Sequence, residues 1–408
     1  MLFERGQLHI PRHAVVLLRP STQAQERGYV RLDLRTTAHE PNSWILPLIN
    51  ELFFFLEAPN TGATLSFNPA DMIVESISRP LAAYIRCRRI VKKNLRLGTL
   101  NFDGIRIIPA GPEKEYKNYC KRMRFLRFSG SQHNGQIMRD HPEVITGWPP
   151  EPKKSVRTHA TTPRIAVALH LYYTDLWPEI EILLGRWTSP FKLFLTLTKE
   201  NQELTARVAA VFPGSVIRIV ENFGRDVRPF LMLLEDGSFD EFDFVCKIHG
   251  KKSISHGRVP IFGDIWRRAT FLDLIATNQQ VLTIVNLFQD NTQIGIIGPR
   301  RFLATSTPTA PRDLLGKNRQ IVDTIATRMG RPIQKDAFDF FEGTMFWARP
   351  QALAPLRALH LSLDFTPAHS SYDDGGVEHA VERLFNYAAR VAGFDVMAVS
   401  GENHRGKD

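Results

Sequence analysis

"RIAVALHLYYTDLWPEIEILLGRWTSPFKLFLTLT", residues Arg164 to Thr198, decides the fold. Its first ten residues are the continuous apolar run of a strand buried on both faces. "TDLWPEIEILLGRW" then places apolar residues at helical spacing, and "FKLFLTLT" returns to strand. The alternation continues downstream. "KENQELTARVAAVF" reads as a helix, "SVIRIVEN" as a strand, "RDVRPFLMLLED" as a short helix and "FDFVCKIH" as a strand. Strand and helix alternating at this spacing predict an α/β domain of right-handed βαβ units: a mostly parallel sheet with helices on both faces. Ligands of such sheets bind beyond the carboxyl ends of the strands. Of those ends, "HLYY" is largely apolar, whereas "ENFGRD", "KIHGKKS" and the loop from Arg300 are crowded with polar, charged and glycine residues.

Upstream of this block, residues 147–163, "GWPPEPKKSVRTHATTP", are rich in Pro, Thr and charge without apolar period and read as a linker. The predicted plan is therefore residues 1–146, a linker, and a single domain over 164–408. In the first part "HAVVLLRP", "YVRLDLRT" and "NFDGIRIIPAG" look like short strands, and "SWILPLINELFFFLEA" like an apolar helix or strand pair. This is a smaller α+β region followed by basic helices.

Charge is unevenly placed along the 408 residues. The formal net charge is +10, yet Arg79 to Arg127 alone holds 14 Lys or Arg against three acids, an excess of +11 that leaves about −1 for the rest. "RPLAAYIRCRRIVKKNLRLG" fits a basic amphipathic helix on an anionic membrane surface, or a solvated face against a neighbouring domain. Nucleic acid is disfavoured, because no recognisable nucleic-acid module accompanies the basic stretch. No apolar run is long enough to span a bilayer and the N-terminus lacks a secretory pattern, so a cytoplasmic address is expected. Three widely spaced cysteines indicate neither a disulfide framework nor a zinc site.

Two strand ends carry candidate chemistry. In "ENFGRD", Gly224 permits a tight turn and Asn222 and Asp226 can accept hydrogen bonds. The plainer alternative makes Asp226 a helix N-cap with Arg225 and Arg228 in solvent. In "CKIHGKKS", Lys247, His249, Lys251 and Lys252 stand without a carboxylate pair, so Mg²⁺ or Mn²⁺ would find no oxygen ligands there. Lysines at that place supply fixed positive charge instead.

"ENFGRDVRPFL", "CKIHGKKS", "GDIWRR", "FEGTMFWARPQAL" and "DDGGVEHAVERLF" follow one another as in the rhamnan synthesis protein F family, which the chain resembles from about Arg164 to Ser400. The resemblance implies a GT-A-like domain and a glycosyltransferase of bacterial surface-polysaccharide assembly. Its donor would be an activated sugar such as dTDP-rhamnose, its acceptor a lipid-linked glycan at the inner face of the cytoplasmic membrane, and no cofactor would be needed. A non-catalytic sugar-binding or scaffolding subunit is the rival reading. On this resemblance Asn222, Gly224, Arg225, Asp226, Lys247, His249, Lys251 and Lys252 would bind the donor, and transfer would be inverting and metal-independent. "FEGTMFWARPQAL" would form a strand opening onto the site through Glu342, Gly343 and Thr344, with Phe346 and Trp347 packed in the core. Asp374 is the first choice as acceptor base, with Asp373, Glu378 and Glu342 as competitors. His379, Glu382 and Arg383 match the helix motif, with Glu382 and Arg383 expected to form a salt bridge. Glu378 departs from the family pattern, where a small residue is more usual.

Overall fold

The structure is a computed structural model. It describes residues 3–4, 7–27, 29–35, 42–48, 52–57, 62–93, 100–102, 105–109, 148–152, 156, 159, 161–252, 261–333, 338–367 and 375–401. The chain divides into two units, residues 1–142 with 252–265, and residues 143–251 with 266–408.

The first unit contains β1 (Phe3–Glu4), β2 (Gln7–Ile10), β3 (Val15–Pro20), α1 (Thr22–Arg27), β4 (Tyr29–Arg35) and β5 (Asn42–Pro47). After them come β6 (Leu52–Glu57), β7 (Ala63–Ser66), β8 (Met72–Ser78), α2 (Pro80–Lys93), β9 (Leu100–Phe102) and β10 (Ile105–Pro109). The strands form two antiparallel sheets, ordered β1-β2-β7-β4-β5 and β8-β3-β6-β10-β9. Alternate residues of both sheets, Leu8, Ile10, Val30 and Leu32 from one and Val16, Leu18, Phe54 and Leu56 from the other, share one core. This part of the unit is a β-sandwich. "SWILPLINELFFFLEA" resolves into two strands, one in each sheet. Beyond α2, most of the basic segment up to Arg127 lies outside the described residues.

In the second unit the predicted alternation appears as β11 (Ile165–His170), α3 (Trp177–Leu184), β12 (Phe191–Leu197), α4 (Gln202–Val211), β13 (Val216–Ile219), α5 (Val227–Glu235) and β14 (Phe244–His249). Helix α6 (Ile261–Leu274) spans the division between the units. Next come α7 (Asn278–Asp290), β15 (Ile294–Pro299), β16 (Leu303–Ser306), α8 (Arg319–Arg328), β17 (Phe338–Phe341), β18 (Phe346–Ala348), α9 (Ala354–Arg357), α10 (Val377–Val391) and β19 (Asp395–Val399). The central sheet runs β13-β12-β11-β14-β18-β15-β19, parallel except that β18 lies antiparallel between β14 and β15. Strand periodicity sorts the two faces. Ile165, Val167 and Leu169 pack under α3, α4 and α7, while Ala166 and Ala168 face α5, α8 and α10. The unit is thus the mixed α/β fold with helices on both sides that the sequence predicts.

"FEGTMFWARPQAL" is not one strand. It splits into β17, which pairs with β16, and β18 in the central sheet, with a turn between. Residues of the stretch read as a linker also pack on this unit: Trp148 lies against Phe271, the Pro149 carbonyl accepts from Arg186, and Glu151 Oε1 accepts the Asn278 N–H.

Trp347 is fully buried, stacks on Trp187 at 5.3 Å between ring centroids, and donates its indole N–H to Leu274 O at 3.2 Å. Truncation leaves a cavity that a close-packed sheet cannot collapse. Trp347→Ala is therefore expected to lower the unfolding free energy by about 3–5 kcal/mol in urea titration. A loss below about 1 kcal/mol would show that this strand does not anchor the sheet.

Candidate functional site

Three parallel strands end in a row of polar residues. Register aligns Thr196 of β12 with His170 of β11, and His170 with His249 of β14. Two residues earlier on these strands, Phe194, Ala168 and Lys247 form the preceding row, which Phe346 of β18 continues. Period-two alternation turns all these side chains to the α5/α10 face. That face is apolar until its carboxyl edge, so Lys247 enters a nearly water-free place.

Lys247 is 2% exposed and its ammonium lies within 6.0 Å of the rings of Phe230, Phe346 and Phe385. Its three N–H bonds go to Asp226 Oδ2 at 2.5 Å, Thr344 O at 2.8 Å and Thr344 Oγ1 at 3.0 Å. The Thr344 hydroxyl donates in turn to Asp226 Oδ2. Lys247, read from the sequence as a donor ligand, is thus a structural cation. With all three donors used and the ammonium buried, it has nothing left for a diphosphate.

Asp226 stands at the N-cap position of α5, yet its side chain makes no capping bond. The carboxylate reaches across to Lys247 instead. Burial alone would raise its pKa, but His249 and Lys247 nearby, with hydrogen bonds from Lys247 and Thr344, hold it well below the ordinary carboxylate range. Burial lowers Lys247 as well, against the pull of Asp226. The loop before Asp226 demands its glycine: Gly224 has φ +74°, and a Cβ there would meet Arg228 Cβ at 2.5 Å and Phe365 Cδ1 at 2.6 Å.

The turn between β17 and β18 completes the knot. Gly343 and Thr344 both have positive φ, +91° and +57°. For a β-branched residue that conformation costs roughly 1–3 kcal/mol, and it persists only where the surroundings impose it. Here it aims both oxygens of Thr344 at Lys247. The Gly343 carbonyl accepts from His249 Nε2 at 2.8 Å, which fixes the proton on that nitrogen, and the Gly343 N–H donates to Glu382 Oε1 at 2.6 Å. Burial raises the Glu382 carboxyl, opposed by the Gly343 bond, Lys251 and Arg383. His249 is pushed down to about 4, first by burial and then by Lys247 and Lys251, against Asp226. His170, bonded through Nδ1 to Thr196 Oγ1 at 2.9 Å, is likewise lowered to about 4 by burial. A cavity of about 10 Å³ lies among His170, Thr196, Asp226 and Lys247. It has room for about one water, so any larger ligand must sit outside the knot.

Asp226, Lys247, His249 and Glu382 are brought together. Arg225, exposed and with φ +52°, lies 4.0 Å from Glu378 Oε1. Glu378 itself is buried in the first turn of α10, its carboxylate folded back over Gly376. Lys251 lies over the Trp266 ring at 4.2 Å, and Lys252 opens the 252–265 segment of the first unit. Asn222 is exposed. Glu342 is half-buried, its backbone N–H bonded to Phe302 O. His379 Nδ1 lies 3.9 Å from Glu378 Oε1. Glu382 and Arg383 do not pair as expected: Glu382 turns to Gly343, and Arg383 donates to the carbonyls of Leu314 and His379 at 2.7 Å each. Asp373 and Asp374 lie outside the described residues. His170 and Thr196 are not marked out by the sequence, in which "HLYY" is largely apolar. Strand register with His249 is the signal that places them.

No cluster of three or more His, Cys, Asp or Glu suited to a metal occurs among the described residues. Comparison with known proteins finds the profile of rhamnan synthesis protein F matching residues 151–394. The chain belongs to the rhamnan synthesis protein F family. The chain is also 29% identical over 286 residues to the protein named "Uncharacterized protein WxcX" in two strains of Xanthomonas campestris pv. campestris, a match covering 68% of this chain and 40% of each relative. Two solved structures align with lower similarity. The mannosyltransferase PcManGT from Pyrobaculum calidifontis, in complex with GDP-Man and Mn²⁺, has 10% identity, covers 69% of this chain and 68% of its own, and has a TM-score of 0.33. S. aureus TarS 1-349 in complex with UDP has 11% identity, coverage of 59% and 58%, and a TM-score of 0.32.

Within this family member the knot has two measurable consequences. Asp226→Asn leaves the Lys247 ammonium buried without its counter-ion and should cost about 3–5 kcal/mol in urea titration. Adding Lys247→Met to that variant should recover much of the loss, because neither member of the pair then carries a charge. A single variant as stable as the parent would overturn the pairing.

The two histidines contribute to the loss of stability in acid. Both are neutral when folded but titrate near 6.5 when unfolded, so the unfolded chain binds more protons as pH falls from about 6.5 to 4. Stability is full above that window and is lost through it, by up to about 3 kcal/mol for each histidine. His249→Gln should flatten the fall in urea midpoint between these pH values, and an unchanged slope would show that His249 is not held neutral.

Proposed function

We propose that this chain is a glycosyltransferase of polysaccharide synthesis. It transfers rhamnose or a related sugar from a nucleotide sugar to a lipid-linked glycan, with inversion and without a metal. The observation that carries this reading is the meeting of four family motifs at the carboxyl edge of the sheet. Asp226, Lys247 with His249, Gly343 with Thr344, and Glu382 hold one another through direct bonds. Fold alone would not assign the chemistry; a preorganised polar edge of this kind supports it.

In the proposed step an acceptor hydroxyl gives its proton to a carboxylate, its oxygen bonds to the anomeric carbon, and the bond from that carbon to the diphosphate oxygen breaks. The nucleoside diphosphate leaves with the added negative charge. Arg225, Lys251 and Lys252 are the cations proposed to meet that charge, a role that Lys247 cannot take. Asp226 would meet the donor through Oδ1, since Oδ2 is engaged by Lys247 and Thr344. Asp374 is proposed as the base on the strength of its place in the motif, just ahead of the helix that carries Glu378 and Glu382.

A thermal-shift series with dTDP-, UDP- and GDP-sugars tests the reading, since a ligand bound to the native state raises the midpoint by mass action. At least one donor should raise it, and EDTA should leave the shift in place. Lys251→Ala should weaken the donor by about tenfold or more, the worth of a charge-assisted hydrogen bond. No shift with any donor would overturn the reading, and a shift abolished by EDTA and restored by Mn²⁺ would overturn its metal-independent part.

A further inference from the structure

Helix α2 carries three large apolar side chains outward. Leu81, Tyr84 and Ile85 are 72%, 58% and 47% exposed, whereas Ala83 on the opposite side of the helix is buried. Residues spaced by three and four form one strip along a helix, so the three make a continuous apolar ridge in solvent. A helix lying on a domain ordinarily does the reverse, turning such residues into the core. In the same 14 residues stand Arg86, Arg88, Arg89, Lys92 and Lys93 and no acid. Arg86 and Arg89 are exposed. In sequence, Arg88 and Lys92 follow Leu81, Tyr84 and Ile85 at helical spacing. No helix among the described residues is long and apolar enough to cross a membrane.

We infer that α2 is a docking surface for an anionic lipid bilayer. The helix lies flat, with Leu81, Tyr84 and Ile85 seated at the boundary between headgroups and acyl chains and the basic side chains against lipid phosphates. The two features select this occupant together. A second copy of the chain would bring like charge against like, since the helix sequence holds five basic residues and no acid, which opposes self-association through this helix. A nucleic acid would satisfy the charge but leave the apolar ridge in water. Anionic lipid satisfies both at once, because headgroups and acyl chains lie within a few ångströms of each other. The surface stands on α2 alone and not on the transfer reaction.

The test uses the full chain and sedimentation with vesicles of phosphatidylcholine, alone or mixed with phosphatidylglycerol. Binding to the mixed vesicles is expected to exceed binding to the neutral ones and to fall with added salt as the Debye length shrinks. Arg86→Gln with Arg89→Gln should weaken it by about fivefold per residue. Leu81→Ser with Ile85→Ser should weaken it by about tenfold at unchanged charge, with the thermal midpoint retained because these side chains are already exposed. Equal binding to neutral vesicles, or full binding by the Leu81→Ser/Ile85→Ser variant, overturns the proposal. So does a concentration-dependent dimer that this variant abolishes in sedimentation velocity, or tighter binding to single-stranded DNA than to vesicles. The donor-induced thermal shift should be the same in all these variants, which separates failure of the docking surface from failure of the proposed transfer activity.

Discussion

The rest of the site depends on one buried cation. Lys247 projects from a central strand into an aromatic surround, where an unpaired ammonium would cost several kcal/mol in lost hydration. Everything nearby is arranged to meet it. Asp226 gives up the capping bond expected at its position, Thr344 takes a conformation that β-branched residues avoid, and both are thereby tied to β14. Such a pair contributes little net stability compared with a well-packed apolar substitute, but removing one member alone is severe. Its effect is positional, because it holds a loop, a turn and a strand at fixed separations.

The strain at Gly343 and Thr344 acts in the same way. A turn with two successive positive φ values presents its carbonyls and N–H groups in directions that an ordinary turn does not. Here those groups accept from Lys247 and His249 and donate to Glu382. A Cβ at position 343 would meet Trp266 Nε1 at 2.8 Å, so the turn is also pressed against the indole over which Lys251 lies. The inner knot and Lys251 therefore share one neighbour, Trp266. Preorganisation of this kind lets a polar site stabilise charge without first rearranging.

Much of this was legible in the sequence, for physical reasons that differ between elements. β11 to β14 show plainly because strands buried on both faces read as unbroken apolar runs. The motif residues Asp226, His249 and Glu382 were identified through strand ends and family pattern. The role of Lys247 was not, since a sequence shows a lysine at a strand end but not the three phenylalanines around it, which come from α5, β18 and α10. Nor was the turn at Gly343: "FEGTMFWA" alternates as one strand would, and only the pairing of its halves in different sheets reveals the break. The sandwich of the first unit was hard to read because its short strands pair across long separations, as β3 does with β6 and β8.

Charge in this molecule is divided by environment rather than by amount. The excess of positive residues lies in one segment, while the second unit has Lys247 neutralised inside and keeps Arg225 and Lys251 further out. A cation buried among rings and bonded to a carboxylate exerts little field beyond its partner. Lys251, stacked on the Trp266 indole, lies outside that enclosure. The same lysine-rich motif therefore places two lysines, four residues apart, in different environments. Lys247 points to the α5/α10 face and is consumed in construction, while Lys251, past the end of the strand and the close-packed Gly250, lies beyond that geometry. What separates them is the end of the pleat. While the strand lasts, alternation dictates the face of every side chain; once it ends, the chain can carry charge away from the α5/α10 face.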